Sequence, residues 1–461
     1  MPRNLFFVDS IYRPGVWDSE GESRQEKDGD VFVSLIPTEG DNGEGQSVVP
    51  FVVSLKSHQL QMKHRKGEIQ EGWYVYFTPD NPYEGRVFSY GNQTEYAQNQ
   101  KKRSAELRRA LLQNSTLEGG ETWSEDTLRD YEYGSDVISY HVNVGHGNCS
   151  FILILNRQGY DLWAVDCSRF ERAYGQTKWV DHKDQIDRCL EEISYCIAKL
   201  KGIKMSRANL RISRFFLTHT HHDHYNGIEY LQSEGYIDSD TKFYLNIHYE
   251  CASSLMNRIL ETIKNGGNKI VEPISGNGSD LIEILHPECR IVRSHLSKIS
   301  HHPKPRIVSK VNNSSVVYRI NLGMSSMTFP GDLEQAGFDM MIRNGNLPIC
   351  CDTDYYVISH HGSANGHPKY IPGHKRLHRR RLGCLRNAII MGRNGAYSGI
   401  YDSKVINCFD MFTRIVYTEK DDNFQPIDAF GLHWRSGKIR YLYYYSRLPS
   451  NQYVCSRYRG K

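Results

Sequence analysis

The stretch RFFLTHTHHDHYNG, residues 214–227, closes an apolar run with four histidines and one aspartate in six residues. Imidazole and carboxylate groups bind zinc and similar first-row cations, and a catalytic site keeps one coordination position open. Directly after a strand, His219 and His221 are two apart and can point to one side. Asp223 and His224 can then begin the helix YNGIEYLQ. The stretch therefore predicts a metal site rather than a charged loop with incidental histidines.

From residue 136 onward, strand patterns alternate with helix patterns. VISYHVNV, SFILILN, DLWAVDCS and RISRFFLTH read as strands, and DQIDRCLEEISYCIAKLK reads as an amphipathic helix. Further strand patterns follow in KFYLNIH, LIEILHP, SVVYRINL, SSMTFPGD, YYVISHH, NAIIMGR and RIVYTE. This alternation predicts a layered α/β core. Function is then expected at the strand ends, where a rigid sheet holds the loops.

Four motifs of this chain resemble those of one hydrolase superfamily. THTHHDH matches the HxHxDH motif of the metallo-β-lactamase fold, an αββα sandwich with one or two metals at the sheet edge. Asp166 in LWAVDCS matches its first acidic motif, and Asp332 in MTFPGDLE matches the aspartate that bridges two metals. His360 or His361 in YYVISHHGS matches the last histidine ligand. The resemblance implies that α/β fold for the main part of the chain.

A narrower resemblance covers roughly residues 136–440. VNVGHGNCSFILI, LIEILHP, NNSSVVYRI, FPGDLE and SHHGSANGH look like the soluble metallo-β-lactamase domain of the DNA-internalisation competence protein ComEC and its free-standing relatives. AIIMGRNG, TRIVYTEK and FGLHWRSGK resemble the end of that domain. Such free-standing relatives are suspected in bacterial conflict systems, which suggests a role in antiviral defence. Residues 1–130 have no counterpart in this resemblance.

The chain departs from the superfamily at one ligand of the first metal. Many members supply a third histidine just before the strand of the bridging aspartate, where this chain has Asn312 and Asn313. Amide oxygen is a poorer zinc donor than imidazole. The departure suggests a weakly held first metal, or manganese instead of zinc. His301 and His302 lie just upstream and are the alternative ligands.

The residues and the resemblance together give a ligand set and a chemistry. The expected cofactor is one or two divalent ions, zinc first and manganese second, held by His219, His221, Asp223, His224, Asp332 and His360. Asp223, His224 and Asp332 are the expected catalytic residues, with Asp332 bridging. Asp166 is expected to orient a histidine ligand from behind, and His361, Asn312 and Asn313 are alternate ligands. A metal there makes hydroxide available at neutral pH for attack on phosphorus or on a carbonyl carbon.

Basic residues after the last ligand motif suggest a polyanionic substrate. The insertion HKRLHRRRLGCLR, residues 374–386, includes Lys375, Arg376, Arg379, Arg380 and Arg381. With Ser363, these are the expected substrate contacts, because a phosphodiester backbone matches their charge better than a neutral amide does. A solvated helix face is the alternative for the insertion.

Two further basic segments give weaker indications of nucleic-acid binding. The C-terminal tail KIRYLYYYSRLPSNQYVCSRYRGK interleaves arginine with tyrosine, which can stack on bases and neutralise phosphates. A final edge strand with a tail is the alternative reading. The helix pattern EYAQNQKKRSAELRRALLQN, before residue 130, carries five Lys and Arg residues.

Residues 1–130 and 131–461 form the two predicted domains. The first contains short strand patterns at VFVSLIP, SVVPFVVSLKS, GWYVYFTP and RVFSYG, and the acidic stretch TLEGGETWSEDTLRDYEYGSD marks its end. Residues 1–50 hold four Lys and Arg against ten Asp and Glu. Since the net charge of the whole chain is +4, the remaining residues carry a net charge of +10. This first domain could select substrate, dock a protein partner, or restrain the second.

Composition excludes several other classes of protein. No stretch reaches the roughly 18 to 20 apolar residues of a membrane span, and MPRNLFFVDSIYRPG lacks the layout of a secretory signal. Eleven cysteines without a CxxC pair favour reduced thiols over disulfides or a structural zinc cluster. We therefore expect a cytoplasmic protein without a membrane partner. The sequence does not indicate its oligomeric state.

The leading hypothesis is a metal-dependent phosphodiesterase or nuclease acting on DNA or RNA. One alternative is hydrolysis of a small ester, amide or lactone by the same metal site. The other is a module without catalysis that binds nucleic acid or a partner and holds a structural metal.

Overall fold

The computed structural model describes most of the chain, including every residue of the expected ligand set. It leaves out the basic insertion 374–386 and the alternative ligands His301 and His302. The described residues are 4–13, 15–17, 23–25, 30–38, 51–60, 68–78, 87–113, 115–116, 136–156, 159–171, 179–275, 281–287, 291–293, 306–308, 310–322, 325–346, 353–367, 387–396, 399–410, 413–420, 429–435, 438–447 and 453–458.

A five-stranded antiparallel sheet, the N-terminal sheet, is formed by the beginning of the chain. Its strand order is β5-β4-β1-β6-β7, and its core contains Val8, Val33 and Phe77. A hairpin of β2 and β3 follows β1 in sequence. The bounds are β1 Asn4–Tyr12, β2 Gly15–Trp17, β3 Ser23–Gln25, β4 Asp30–Pro37, β5 Phe51–Lys56, β6 Tyr74–Thr78 and β7 Val87–Tyr90. The four strand patterns of the sequence correspond to β4 to β7, and β1 adds a strand that they did not indicate.

A ten-stranded mixed sheet follows, in the order β27-β26-β25-β9-β10-β11-β14-β15-β16-β8. Strands β11, β14, β15 and β16 run parallel, so their carboxyl ends lie at one edge. A hairpin of β12 Phe170–Glu171 and β13 Val180–Asp181 follows β11. The bounds are β8 Ser115–Thr116, β9 Asp136–Val142, β10 Cys149–Leu155, β11 Tyr160–Cys167, β14 Arg214–Phe216, β15 Lys242–Tyr244, β16 Ile270–Val271, β25 Ala429–Arg435, β26 Lys438–Arg447 and β27 Tyr453–Tyr458.

A six-stranded sheet has the order β17-β20-β21-β22-β23-β24. Strands β21 to β24 are parallel, so this sheet also collects carboxyl ends at one edge. Two short strands, β18 Ile291–Arg293 and β19 Arg306–Val308, pair separately. The bounds of the sheet are β17 Ile282–His286, β20 Val317–Leu322, β21 Ser325–Phe329, β22 Tyr355–Val357, β23 Asn387–Ile390 and β24 Arg414–Tyr417.

The helices of the described chain lie mainly on the outer faces of these two sheets. Their bounds are α1 Glu95–Leu112, α2 Lys183–Lys201, α3 His222–Tyr225, α4 Ile228–Ser233, α5 Ser254–Asn265, α6 Gln335–Arg343 and α7 Ser403–Asp410. The amphipathic pattern of α2 buries Ile186, Leu190 and Ile193. No helix among the described residues is long and apolar enough to cross a membrane.

The fully buried strand β10 shows how one strand serves two cores. Side chains alternate across a strand, so Phe151 and Leu153 join the cluster that contains residues of α2 and α5. Ile152 and Ile154 join a second cluster, which is shared with the six-stranded sheet. A third cluster packs α6 and α7 on the far face of that sheet. The chain therefore has the predicted mixed α/β architecture, with two sheets in contact and helices outside them.

Elements on both sides of residue 130 pack together. Strand β8 pairs with β16, and the Asn257 side chain on α5 donates to the Gln100 side chain on α1 at 2.8 Å. Because contacts across residue 130 do not show whether the chain divides into two domains there, the boundary remains a prediction. Among the described residues, Cys149, Cys167, Cys189, Cys196, Cys251 and Cys408 form no disulfide bond.

Candidate metal centre

The predicted ligands meet where strands of the two large sheets end. Asp166 lies near the end of β11, and the segment His219–His224 follows β14. From the other sheet, Asp332 follows β21 and His361 follows β22. Because each group sits at the carboxyl end of a parallel strand, four separate segments converge on one place.

Four donor side chains form a compact group: Asp223, His224, Asp332 and His361. Their ligand atoms all lie within 4.8 Å of one another. Asp332 Oδ1 is 3.4 Å from His224 Nε2, and Asp332 Oδ2 is 3.4 Å from His361 Nε2. Two ligands of a tetrahedral ion with bonds of about 2.1 Å stand about 3.4 Å apart. The spacing therefore fits one divalent ion held by all four side chains.

Buried polar atoms without hydrogen bonds support the fit. Nε2 of His224 and of His361, together with Asp332 Oδ1, are buried and make no hydrogen bond among the described residues. Leaving such atoms without a partner is costly, so a bound divalent ion is a physical explanation for them. The donor chemistry, two imidazoles and two carboxylates, is that of a zinc or manganese site.

Asp166 lies behind the donor group, in contact with His224. His224 Nδ1 is 2.8 Å from Asp166 Oδ2, and the Thr218 amide and hydroxyl donate to the same carboxylate at 2.8 Å each. The proton on Nδ1 leaves Nε2 free to accept a metal. Asp166 has a positive φ of 53°, a strained conformation for a residue other than glycine and one common at functional sites.

His219 and His221 form a second pair of donors beside the first group. His219 Nε2 and His221 Nδ1 are 3.2 Å apart, a separation that fits two ligands of one ion. The rings of His219 and His224 are 4.0 Å apart between centroids. The arrangement therefore offers a second ion position adjacent to the four-donor group.

The structure places His361, rather than the favoured His360, in the four-donor group. His360 Nε2 is 3.9 Å from Asp332 Oδ2 and 3.4 Å from Asn312 Nδ2, so it lies on the side of Asn312. Both histidines have left-handed φ values near 50°, and this tight turn directs their rings to different partners.

Asn312 and Asn313, the two asparagines expected as alternate ligands, have different surroundings. Asn312 donates to Glu334 at 3.3 Å, which leaves its Oδ1 buried and without a hydrogen bond among the described residues. Asn313 Oδ1 accepts from the Gly337 amide at 3.0 Å. Asn312 is thus the asparagine available as a ligand or substrate contact.

Burial and charge set the protonation of the site. Burial lowers the pKa of His361, but Asp332 and Asp223 outweigh burial and raise this pKa to about 9. Burial also opposes charge on His224, whose pKa is nevertheless raised by Asp332, Asp166 and Asp223. Since metal ligands bind in the deprotonated form, ion binding displaces these protons.

A histidine that the sequence reasoning missed, His146, borders the same group. Its Nε2 is 3.5 Å from Asp223 Oδ2, and its ring centroid is 4.3 Å from that of His361. Burial is the main cause that lowers the pKa of His146 to about 3. The glycine-flanked turn VGHGN directly after β9 was the available sequence signal.

The N-terminal sheet supplies part of the wall over the metal centre. The cavity there has about 730 Å³ of empty space, including space open to solvent. The Tyr12 ring stands edge-on to His360 at 5.4 Å. The cavity is lined by Asp9, Ser10, Ile11, Tyr12, Phe32, Ser34, Val52, Glu71, His146, Phe170, Glu171, His221, His222, Asp223, Asn312, Asp332, His360 and Ile400. The sequence reasoning assigned none of the N-terminal residues to the site.

The expected substrate contacts are mostly not located by the structure. Ser363 is buried and donates to Asn365 Oδ1 at 2.9 Å. Lys375, Arg376, Arg379, Arg380 and Arg381 lie outside the described residues. The C-terminal tail contributes β26 and β27 to the edge of the ten-stranded sheet.

No protein-family model and no curated protein significantly matches the chain. The geometry of the metal centre therefore has to carry the functional assignment. In that geometry, donors from three segments of the chain meet at one place, and the side that faces the cavity is open.

Proposed function

We propose that the protein is a metal-dependent hydrolase with the αββα metallo-β-lactamase fold, and that it cleaves phosphodiester bonds of DNA or RNA. The observation that carries the hydrolase proposal is the group Asp223, His224, Asp332 and His361, with ligand atoms within 4.8 Å. The two sheets in contact, with helices outside them, support the fold proposal.

The chain's own residues divide the work in this proposal. When bound, zinc or manganese ions supply a Lewis acid and lower the pKa of water toward about 7. Asp332 directs one carboxylate oxygen to His224 and the other to His361, each at 3.4 Å, so it would hold an ion together with both histidines. Asp223 keeps 23% of its side chain exposed, against 4% for Asp332. The substrate therefore approaches from the Asp223 side, which His146 also borders.

The choice of a phosphodiester rests on charge in the sequence. Along the chain, the basic insertion 374–386 follows His361, the last of the four donors, and precedes strand β23, which begins at Asn387. Asp223 and Asp332 place carboxylates in the cavity itself. Because phosphate is repelled by these carboxylates, we expect binding only when the divalent ions are present.

A cleavage panel tests this proposal. Single-stranded and double-stranded DNA, RNA and cyclic dinucleotides are incubated with protein reconstituted with zinc, manganese or magnesium, beside His221→Ala. We expect cutting by the wild type with zinc or manganese and its loss in the variant. Stoichiometric metal binding without cutting of any phosphodiester would refute the nuclease assignment.

The cavity favours one second candidate, hydrolysis of a small ester, amide or lactone. Tyr12, Phe32 and Val52 give the cavity apolar walls, as sites for small molecules usually have. This candidate predicts that charge reversal of Arg379, Arg380 and Arg381 leaves turnover nearly unchanged. The nuclease proposal predicts a large loss of activity in the same variant.

A further inference from the structure

Glu71, in the loop before β6, is a buried carboxylate of the N-terminal sheet that reaches the metal centre. It accepts hydrogen bonds from the Ile11 amide at 3.0 Å and from the Val311 amide at 2.9 Å. Val311 directly precedes Asn312, whose Nδ2 lies 3.4 Å from His360 Nε2. Glu71 therefore joins strand β1 to the turn that contains Asn312.

The same carboxylate faces the outer nitrogen of a predicted ligand. Glu71 Oε2 is 3.9 Å from His221 Nε2, and this nitrogen is buried and makes no hydrogen bond among the described residues. His221 Nδ1 points toward His219 Nε2 at 3.2 Å. If Nδ1 holds the ion, the proton resides on Nε2 and faces Glu71.

The other half of the centre contains the same arrangement at shorter range. His224 Nε2 faces the donor group while its Nδ1 stands 2.8 Å from Asp166. Carboxylates behind metal-bound histidines fix the tautomer and the ring orientation, and their loss typically costs 10–100-fold in metal affinity. The separation of 3.9 Å from Glu71 is within ionic reach and about 1 Å beyond a hydrogen bond.

We propose that Glu71 is a positioning residue for His221, so that the N-terminal sheet completes the His219–His221 half of the metal centre. This inference rests on the metal centre proposed above and deepens it. It gives the first domain a role in holding the metal, apart from any role in substrate selection or restraint.

A bulge in β1 docks the N-terminal sheet beside the same ligand. Val8 pairs with Leu35 and Ser10 pairs with Ser34, so Asp9 is the extra residue that the pairing skips. Bulges re-aim side chains and are common next to active sites. Both oxygens of Asp9 accept from the His222 amide at 3.2 Å. The N-terminal sheet is therefore fixed to the residue that follows His221, which holds Glu71 in place.

Metal titration of the full-length protein in the absence of substrate tests this role. Zinc affinities and stoichiometry are measured by competition with a chelator, and the visible spectrum of bound cobalt reports ligand geometry. In Glu71→Gln we expect one of two ions to bind 10–100-fold more weakly, with a changed cobalt spectrum, while the other ion is unaffected. Asp166→Asn is the reference for the same effect on the four-donor group.

Two matched variants separate positioning from structural effects. Glu68→Gln removes a carboxylate of the same loop, which pairs with Arg13 at 2.7 Å, and is expected to keep both affinities. Tyr74→Phe removes a different contact of the N-terminal sheet, the bond from the Tyr74 hydroxyl to the Ala252 carbonyl at 2.7 Å, and is also expected to keep both.

Three results would overturn the proposal. The first is unchanged affinities in a folded Glu71→Gln protein, or in Glu71→Asp should the glutamine variant not fold. The second is an equal loss in Tyr74→Phe, which would assign the effect to docking of the sheet. The third is that the wild type binds only one ion and that the Glu71→Gln variant binds this ion with the same affinity. In each case hydrolysis, measured separately, still decides the proposed function.

Discussion

Replacing Asp166 with asparagine tests the geometry behind the four-donor group. The carboxylate accepts three hydrogen bonds at 2.8 Å, from the Thr218 amide, from the Thr218 hydroxyl and from His224 Nδ1. It is buried, with a side-chain exposure of 1%. Asparagine offers one acceptor oxygen and one NH₂ donor in the same volume. It therefore cannot satisfy all three donors.

Each orientation of the new amide has a definite cost. If its oxygen keeps the Thr218 amide, the NH₂ group faces His224 Nδ1 and drives the ring proton to Nε2, where the metal must bind. Losing this bond to a charged group costs about 1.5–3 kcal/mol, or roughly 10–150-fold in metal affinity. If the amide flips, its NH₂ meets the Thr218 N–H, and two opposed donors destabilise the fold by about 1–3 kcal/mol.

Zinc competition with a chelator and urea unfolding of the metal-free protein distinguish the two orientations. Asp161→Asn is the control, because Asp161 lies on the same strand, β11, and accepts from the Trp163 indole at 2.8 Å, away from the ligands. We expect Asp166→Asn to lose affinity or stability in the amounts given and the control to lose no metal affinity. Unchanged affinity together with unchanged stability in Asp166→Asn would refute the reasoning.

Further variants test the ligand assignment and the fold. His361→Ala is expected to abolish binding of the ion at the four-donor group, whereas His360→Ala retains it; calorimetric titration that gave the reverse order would contradict the assignment. Burial raises the pKa of Glu192 to about 7 from 4.5, so the folded state loses stability as pH rises through that window. Glu192→Gln should therefore raise the melting temperature at pH 8 and leave it unchanged at pH 4. Leu153→Ala, in the core of β10, is expected to cost 2–5 kcal/mol in urea unfolding, and a cost below about 1 kcal/mol would argue against that packing.

Local sequence patterns predicted the parts of the site that depend on one strand and its end. The run after β14 places His219, His221 and His224 without any need for distant contacts. Asp166 and Asp332 were proposed instead from motifs that resemble those of the metallo-β-lactamase superfamily. The α/β alternation was also readable, because strands and helices differ in hydrophobic period.

Several contacts between distant segments could not be predicted from local sequence patterns. Which of His360 and His361 faces the donor group depends on a turn with two left-handed residues. Strand β1 was missed because Asp9 and Ser10 interrupt its apolar pattern at the bulge. The approach of Glu71 to His221 follows from docking of the N-terminal sheet, which no local pattern encodes.

Cleavage of a fluorescent single-stranded oligonucleotide by wild type and Asp332→Asn, each reconstituted with manganese or zinc, tests the central claim most directly. The account predicts cutting by the wild type and none by a folded Asp332→Asn protein. Equal cutting by both proteins, or no cutting by a wild type that binds its metal ions, would contradict it.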